Sequence, residues 1–166
     1  MEHTVPALVI AALLVLGGVT MASVTNSSID RVSESWREIE AISEERLGTD
    51  LTVVSTQVSP LGTDVTVVIR NNGRTSVTEP SRMDLIINYT GVDTTRYSRW
   101  LAYTSGALQD NTWTVTAMVG DFRNPGDLDS GEEMTIQIRL NPAAMVSANR
   151  WLVIGTDTGI AYSVYF

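Results

Sequence analysis

Residues 5–24 read VPALVIAALLVLGGVTMASV and contain no charged side chain. At about 1.5 Å per residue, a helix over this run would be about 30 Å long, which matches the hydrocarbon thickness of a bilayer. The chain then continues without a proline into TNSSIDRVSESWREIEAISEERLG, residues 25–48, which is polar on most sides. The sequence therefore predicts one long helix, Val5 to Leu47, that is apolar in its first half and amphipathic in its second.

Three interpretations of the apolar run remain open at this point. A secretory signal peptide is disfavoured because residues 1–4 carry no Lys or Arg and the run exceeds the ~7–15 residues of a usual apolar region. The second interpretation is an ordinary membrane anchor. The third is a helix that leaves the membrane and packs against copies of itself, which small residues such as Gly17 and Gly18 favour because they let helices approach closely.

The second half of the predicted helix carries an apolar stripe. Its apolar residues follow steps of three and four, which place them on one face: Ile29, Val32, Trp36, Ile39 and Ile42. Gly48 is a typical residue for the helix end. The first four residues of the stripe, with Trp36 as the main anchor, are predicted to pack the helix against the domain that follows. A helix of about 65 Å is too long for one small domain to cover, so its upper half requires another partner.

After Gly48 the sequence changes to short β-rich runs separated by turn signals such as Asn71-Asn72-Gly73. Only residues 143–149 are compatible with a helical turn. The chain is therefore predicted to be α+β: a helical region, 1–48, followed by an antiparallel, immunoglobulin-like β-sandwich or barrel, 49–166. Seven strands are predicted, at 51–54, 65–69, 85–89, 113–117, 134–140, 151–154 and 160–166, and 97–103 is a further possible strand.

The composition excludes several classes of function. The net charge is −8, all 11 basic residues are Arg, and this acidity disfavours nucleic acid as a partner. Cys is absent and His3 is the single histidine, so Cys- or His-based catalysis and metal binding are disfavoured. No nucleophile elbow, phosphate-binding loop or zinc-protease motif occurs. We therefore expect no enzyme activity, no cofactor and no metal, and a membrane-tethered enzyme is the weakest of the candidate classes.

Three smaller features each allow two interpretations. Asp127, Asp129 and Glu132 have roughly the spacing of a Ca²⁺ loop, but a solvated acidic hairpin loop is favoured. Asn26 and Asn88 begin N-glycosylation sequons, and an unmodified asparagine is as well supported at each. The four tryptophans suggest either ligand stacking or, as favoured, core and interface packing: Trp36, Trp100, Trp113 and Trp151.

Together, an apolar helix, an amphipathic continuation and a β-sandwich resemble the archaellins, the filament subunits of the archaellum within the type IV pilin superfamily. The resemblance covers nearly the whole chain. It is carried by the helix Val5–Leu47 and by five further stretches: 48–54, 68–76 with its Asn-Asn-Gly turn, 113–116, 127–138 and 156–164.

Two departures from the family pattern accompany this resemblance. Archaellins are made with a short basic leader, and none precedes the apolar run here. The resemblance therefore implies either that the given numbering begins at the first residue of the processed protein or that the leader is absent. Bacterial type IV pilins carry Glu at their fifth mature position, where this chain has Val5, so the archaellin subtype is favoured.

The resemblance implies a structural subunit of an extracellular helical filament that serves motility, adhesion or both. The helix would wait in the membrane, an assembly ATPase and platform would extract it, and copies of the chain would form a homopolymer. The runner-up is a membrane-anchored, stator-like accessory protein whose sandwich binds the envelope or surface layer. The predicted filament-core residues are Val5, Leu8, Val9, Leu13, Leu14, Leu16, Gly17, Gly18, Val19 and Met21.

Overall fold

The structure is a computed structural model that describes residues 13, 15–16, 31, 33–44 and 46–166. The chain divides into two compact units, Met1–Ser43 and Glu44–Phe166. Every described residue between 13 and 48 is helical. Most of the predicted span 5–24 lies outside the described residues, so one continuous helix stays a prediction, as does a domain boundary after residue 48.

The second unit is built from eight strands, and each predicted run overlaps one of them. A short 3₁₀ turn, Pro80–Arg82, was not predicted. Residues 143–149, the segment compatible with a helical turn, contain instead a turn and an isolated bridge to Gly91. The strands are β1 Leu51–Val58, β2 Asp64–Asn71, β3 Asp84–Thr90, β4 Arg96–Tyr103, β5 Thr112–Val119, β6 Glu133–Arg139, β7 Trp151–Gly155 and β8 Ala161–Tyr165.

The strands form one sheet in the order β1-β2-β6-β5-β4-β3-β7-β8. Its two four-stranded halves are antiparallel throughout, as predicted. The halves join through β4 and β5, which run parallel and pair at two positions: Ala102 lies opposite Thr112, and Tyr103 lies opposite Trp113. The prediction of a wholly antiparallel sheet is wrong at this point because β5 begins beside the end of β4 and continues in the same direction into the other half.

Both halves contribute their inner faces to one hydrophobic core. Alternation along β2 and β6 buries every second side chain, as expected of strands with one covered face. Bulges after Val53 in β1 and after Val115 in β5 each insert one residue and reset this alternation. The predicted sandwich or barrel is confirmed, because the inner faces of two half-sheets enclose one core. Burial contributes about 1.5–3 kcal/mol for each large side chain in that core.

Candidate functional site

The segment that leads into β1 is attached to the sandwich by its backbone oxygens and by the side chain of Arg46. The amides of Arg74 and Thr75 donate to the carbonyl oxygen of Gly48 at 2.8 and 3.1 Å. The guanidinium of Arg46 donates through Nε to the carbonyl oxygen of Thr158 at 2.9 Å. The last helical turn, residues 46–48, is therefore attached to loops from both halves of the sheet.

A phenol completes this attachment. The hydroxyl of Tyr162, on edge strand β8, donates to the carbonyl oxygen of Thr49 at 2.9 Å. Burial raises the pKa of Tyr162, so the phenol stays protonated and can donate. The hydrogen bond links β8 to the entrance of β1, the strand at the opposite edge of the sheet, and helps to close the sandwich.

Asn71 holds the turn that carries those amides. Its side chain is fully buried, and its Nδ2 donates to the carbonyl oxygens of Thr75 and Leu128 at 2.8 and 2.9 Å. Its Oδ1 accepts from the amide of Gly73 at 2.9 Å. A buried amide side chain with all these bonds fixes the turn and joins it to the loop between β5 and β6.

That β5–β6 loop corrects the sequence prediction of a solvated acidic hairpin. Asp129 and Glu132 are each only 7% exposed. Asp129 accepts hydrogen bonds from the Ser76 hydroxyl and from Asn124 Nδ2, and these bonds, the Ser76 one first, hold the pKa of its carboxyl below the usual value. The Glu132 carboxylate accepts from the amide of Asp129 at 2.9 Å. These two carboxylates thus serve as acceptors for groups within the loop.

The third acidic residue of the suggested Ca²⁺ loop also has an internal partner. Asp127 Oδ1 accepts from the amide of Glu79 at 3.3 Å. Within the part of the chain that the structure describes, no three His, Cys, Asp or Glu side chains are grouped so that they could hold a metal ion.

The helical unit exposes apolar side chains along its described length. Trp36 is 67% exposed and Ile39 57% exposed in the single chain, and Ile42 is also exposed. Leu13, Val15 and Leu16 are exposed as well. Solvent-exposed apolar stripes of this kind mark surfaces that bind a partner. The predicted packing of Trp36 and Ile39 on the sandwich stays a prediction.

Most of the sequence-predicted assembly residues fall outside the described part of the chain. Leu13 and Leu16 are the two filament-core candidates that are described, and both are exposed helical residues. The glycosylation candidate Asn26 is outside as well. The residues outside the description are Val5, Leu8, Val9, Leu14, Gly17, Gly18, Val19 and Met21 of the core set, and Ile29 and Val32 of the packing set.

The second glycosylation candidate, Asn88, lies on the outer face of β3. It pairs with Ser98 of β4 on one side and with Trp151 of β7 on the other. The side chain is half-buried, whereas the middle residue of the sequon, Tyr89, is fully buried. Glycosylation at Asn88 stays a prediction.

The tryptophans take different roles. Trp113 is fully buried and meets Tyr103 edge to face, with ring centroids 4.9 Å apart. Trp100 is exposed on the outer face of β4, where its indole donates to Asp84 Oδ1 at 2.9 Å. Trp151 is half-buried and stacks on Tyr165 of the neighbouring strand. Core packing therefore describes Trp113, whereas Trp100 and Trp151 present aromatic surface on the outer face of the second half-sheet.

Comparison with solved structures places this arrangement among known folds. No protein-family model and no curated protein matches the chain. The periplasmic stator protein FlaG of the Sulfolobus acidocaldarius archaellum is similar, with a TM-score of 0.55 and 20% identity over 71% of this chain and 99% of that one. The complex of FlaF and FlaG from the same organism is also similar, with a TM-score of 0.55 and 20% identity over 70% of this chain and 87% of that one. The archaeal flagellum of Methanospirillum hungatei strain JF1 matches with a TM-score of 0.60 and 12% identity over 96% and 89%.

The chain has the fold of archaellum proteins. The archaellum-type fold is what the resemblance in the sequence implied, and that expectation is confirmed. Among the described residues, no helix is both long and apolar enough to cross a membrane.

Sequence reasoning missed several residues that the archaellum-type fold brings together. Asn71 was noted only as part of a turn, and its buried position was not foreseen. Arg96, Arg150 and Tyr165 were not singled out, yet they meet Trp151 around one groove. The available signal was the scarcity of basic residues: in a chain of net charge −8, two arginines that flank predicted strands stand out.

Proposed function

We propose that this chain is a structural subunit of an extracellular helical filament of the archaellum type. The observation that carries the proposal is the exposed apolar stripe of the helical unit, with Trp36, Ile39 and Ile42 uncovered in the single chain. Such a stripe needs a partner surface, and in the proposed assembly the helices of neighbouring copies supply one. Each large side chain buried in that bundle would contribute about 1.5–3 kcal/mol.

The structural similarity that supports a filament subunit covers almost the whole chain. The similarity to the Methanospirillum hungatei filament spans 96% of this chain. The similarity to FlaG spans 71%, a share that the sandwich alone would account for. In the proposed assembly the helix waits in the membrane, an assembly ATPase and platform extract it, and the sandwiches form the outer sheath. A head-to-tail contact that does not close produces a helical filament, which would serve motility or adhesion.

A stator-like accessory protein is the second candidate. The similarity to FlaG covers 99% of that chain, so this sandwich has the whole fold of a protein described as a periplasmic stator. In this role the helix remains in the membrane and the sandwich binds the cell envelope. Neither role involves a chemical reaction, a cofactor or nucleic acid.

Fractionation of the producing cells tests the proposal. Cells are sheared, and the sheared material is examined by electron microscopy and mass spectrometry. We expect this chain to dominate filaments of constant width. Its retention in the membrane in low copy number would contradict the filament role and favour the stator.

A charge placed in the helix tests the core itself. Gly18→Arg should abolish filaments because an arginine cannot be buried in an apolar bundle without a partner. Gly106→Arg is the matched control, since position 106 is exposed in a loop with room around it, and filaments should form normally. Circular dichroism of both variants checks that the sandwich remains folded. Normal filaments from Gly18→Arg would contradict the helix-core model.

A further inference from the structure

A groove opens on the outer face of the second half-sheet, near the end of β3. Its volume is about 520 Å³, which is large enough for a small ligand. Side chains from four strands surround it, because β3 lies between β4 and β7, and β8 lies beyond β7. The lining residues used below are Asn88, Thr90, Arg96, Arg150, Trp151 and Tyr165.

One wall of the groove is aromatic. Trp151 and Tyr165 are directly paired across β7 and β8, and their rings stack with centroids 5.7 Å apart and planes inclined by 9°. Tyr165 is 73% exposed. Aromatic faces carry negative charge density and attract the weakly positive C–H edges of a ligand. The face of the Tyr165 ring that Trp151 does not cover is suited to the C–H face of a sugar ring.

The rest of the groove is polar and positively charged. Arg96 is exposed and Arg150 is 5% exposed, and neither forms an ion pair with any residue that the structure describes. Arg150 Nη2 donates to the carbonyl oxygens of Met145 and Val146, whereas its buried Nε has no partner. No described carboxylate side chain lines the groove. Two guanidinium groups without an ion pair, in an acidic chain, produce a local attraction for anions.

We propose that this groove binds an acidic saccharide, whose sugar ring packs on Trp151 and Tyr165 and whose carboxylate or sulfate group pairs with Arg96. Arg150 supports the site by adding positive charge beneath it. The side-chain amide of Asn88, between the aromatic wall and Arg96, is positioned to bond a sugar hydroxyl. The proposal does not depend on whether the chain forms a filament or a stator.

The saccharide has two conceivable sources with the same chemistry. Asn88 and Thr90, the first and third residues of the sequon, both line the groove, so a glycan on Asn88 would begin inside it. In that case Asn88 Nδ2 bonds to C1 of the sugar, displaces the phosphate of a lipid-linked donor and loses one proton. The other source is a glycan of the envelope or of a neighbouring molecule, bound without a covalent bond.

Calorimetric titration tests the binding. The full chain is produced in a host without N-glycosylation, kept in detergent, and titrated with a hyaluronan disaccharide, which contains one uronic acid, and with neutral diacetylchitobiose. Ligand concentrations reach about 10 mM, so that even a Kd near 1 mM is measured. We expect the acidic disaccharide to bind at least ten-fold more tightly than the neutral one.

Two variants assign that difference to the groove. Arg96→Gln should weaken binding of the acidic disaccharide at least ten-fold, and Arg70→Gln, at an exposed position of β2, should leave it unchanged. Equal affinity for both disaccharides, absence of binding, or an unaffected Arg96→Gln variant would overturn the proposal. Mass spectrometry of the Asn88 peptide from native cells then identifies the source: an acidic glycan there indicates the covalent one, and an unmodified peptide the non-covalent one. A neutral glycan on Asn88 would overturn the proposal, because it would occupy the groove.

Discussion

Gly73 packs so closely on Gly48 that a β-carbon added at position 73 would overlap the carbonyl oxygen of Gly48. The same β-carbon would lie 2.5 Å from the amide nitrogen of Asp50. Both obstacles are backbone atoms, which cannot move aside as the end of a long side chain can. The contact therefore requires glycine at position 73 and fixes how the segment entering β1 approaches the turn after β2.

Gly73→Ala should lower the free energy of unfolding by about 2–3 kcal/mol, because the overlap forces the backbone apart. The measurement is chemical denaturation followed by fluorescence. Gly106→Ala is the control, since its β-carbon would have ordinary contact only, at 3.8 Å from Thr104. The control should be neutral or slightly stabilising. Equal stability of the two variants would show that the close approach is not constrained.

Asn71→Ala should destabilise the sandwich by about 2–4 kcal/mol. The change removes three hydrogen bonds made by a buried side chain. The Gly73 amide still donates to Asp50 and the Leu128 carbonyl oxygen still accepts from Val77, so the loss comes from the three missing bonds and from the space that the side chain leaves. The neighbouring Asn72→Ala is a matched control, because Asn72 is exposed and its side chain, among the residues that the structure describes, bonds only the Thr52 hydroxyl. That variant should lose less than about 1 kcal/mol. A similar loss for both would contradict the structural role of Asn71.

Asp129 should make the stability of the chain sensitive to acid. Its folded-state pKa is lowered by the hydrogen bonds from Ser76 and Asn124, so its contribution is present above the unfolded pKa of about 3.9 and is lost as the pH falls through the folded value. Asp129→Asn should therefore flatten the fall in the free energy of unfolding below about pH 4. Ser76→Ala should flatten it in part, and Ser130→Ala, at an exposed neighbouring serine, should leave the acid profile as it is.

Tyr162→Phe tests the closure of the sandwich. Removal of the hydrogen bond to Thr49 should cost about 1 kcal/mol. Burial raises the folded-state pKa of Tyr162, so its contribution is full below the unfolded pKa of about 10 and is lost as the pH rises through the folded value. Stability should therefore decline less steeply in alkali for Tyr162→Phe than for the unaltered chain. Tyr165→Phe, on the same strand, should change the free energy of unfolding by less than about 0.5 kcal/mol at neutral pH.

The strands were predictable because their pattern is local. In β6, Met134, Ile136 and Ile138 alternate with polar residues and are all fully buried, so the period of two in the sequence corresponds directly to one covered face. The parallel meeting of β4 and β5 was not predictable in this way, since it depends on where the chain crosses between the half-sheets. No residue pattern within β4 or β5 indicates that Tyr103 pairs with Trp113.

The sites were less predictable because they depend on contacts between distant parts of the chain. Asp129 appeared solvated in the sequence, but its burial is favoured by Asn124 and by Ser76, which lies on a loop 53 residues earlier. Arg96 and Trp151 meet through β3, which pairs with both of their strands. The spacing of these residues in the sequence predicted neither the contact of Asp129 with Ser76 nor the proximity of Arg96 to Trp151. The helix stripe is the opposite case, because residues three or four apart share a face in any helix. The sequence placed Trp36 and Ile39 on one face, and their packing on the sandwich stays a prediction.

The attachment of residues 46–50 has a mechanical consequence. The chain enters β1 at Leu51, which pairs with Asn71, the last residue of β2. A pull on residue 50 along the axis of β1 would therefore slide that strand lengthwise past β2, so that the hydrogen bonds of the pair resist together rather than parting one after another. The bonds from Arg74, Thr75 and Tyr162 would share the same tension before it reaches the strand. A domain entered in this way resists shear, which would suit either of the roles proposed above, since in both the helix transmits force to the sandwich.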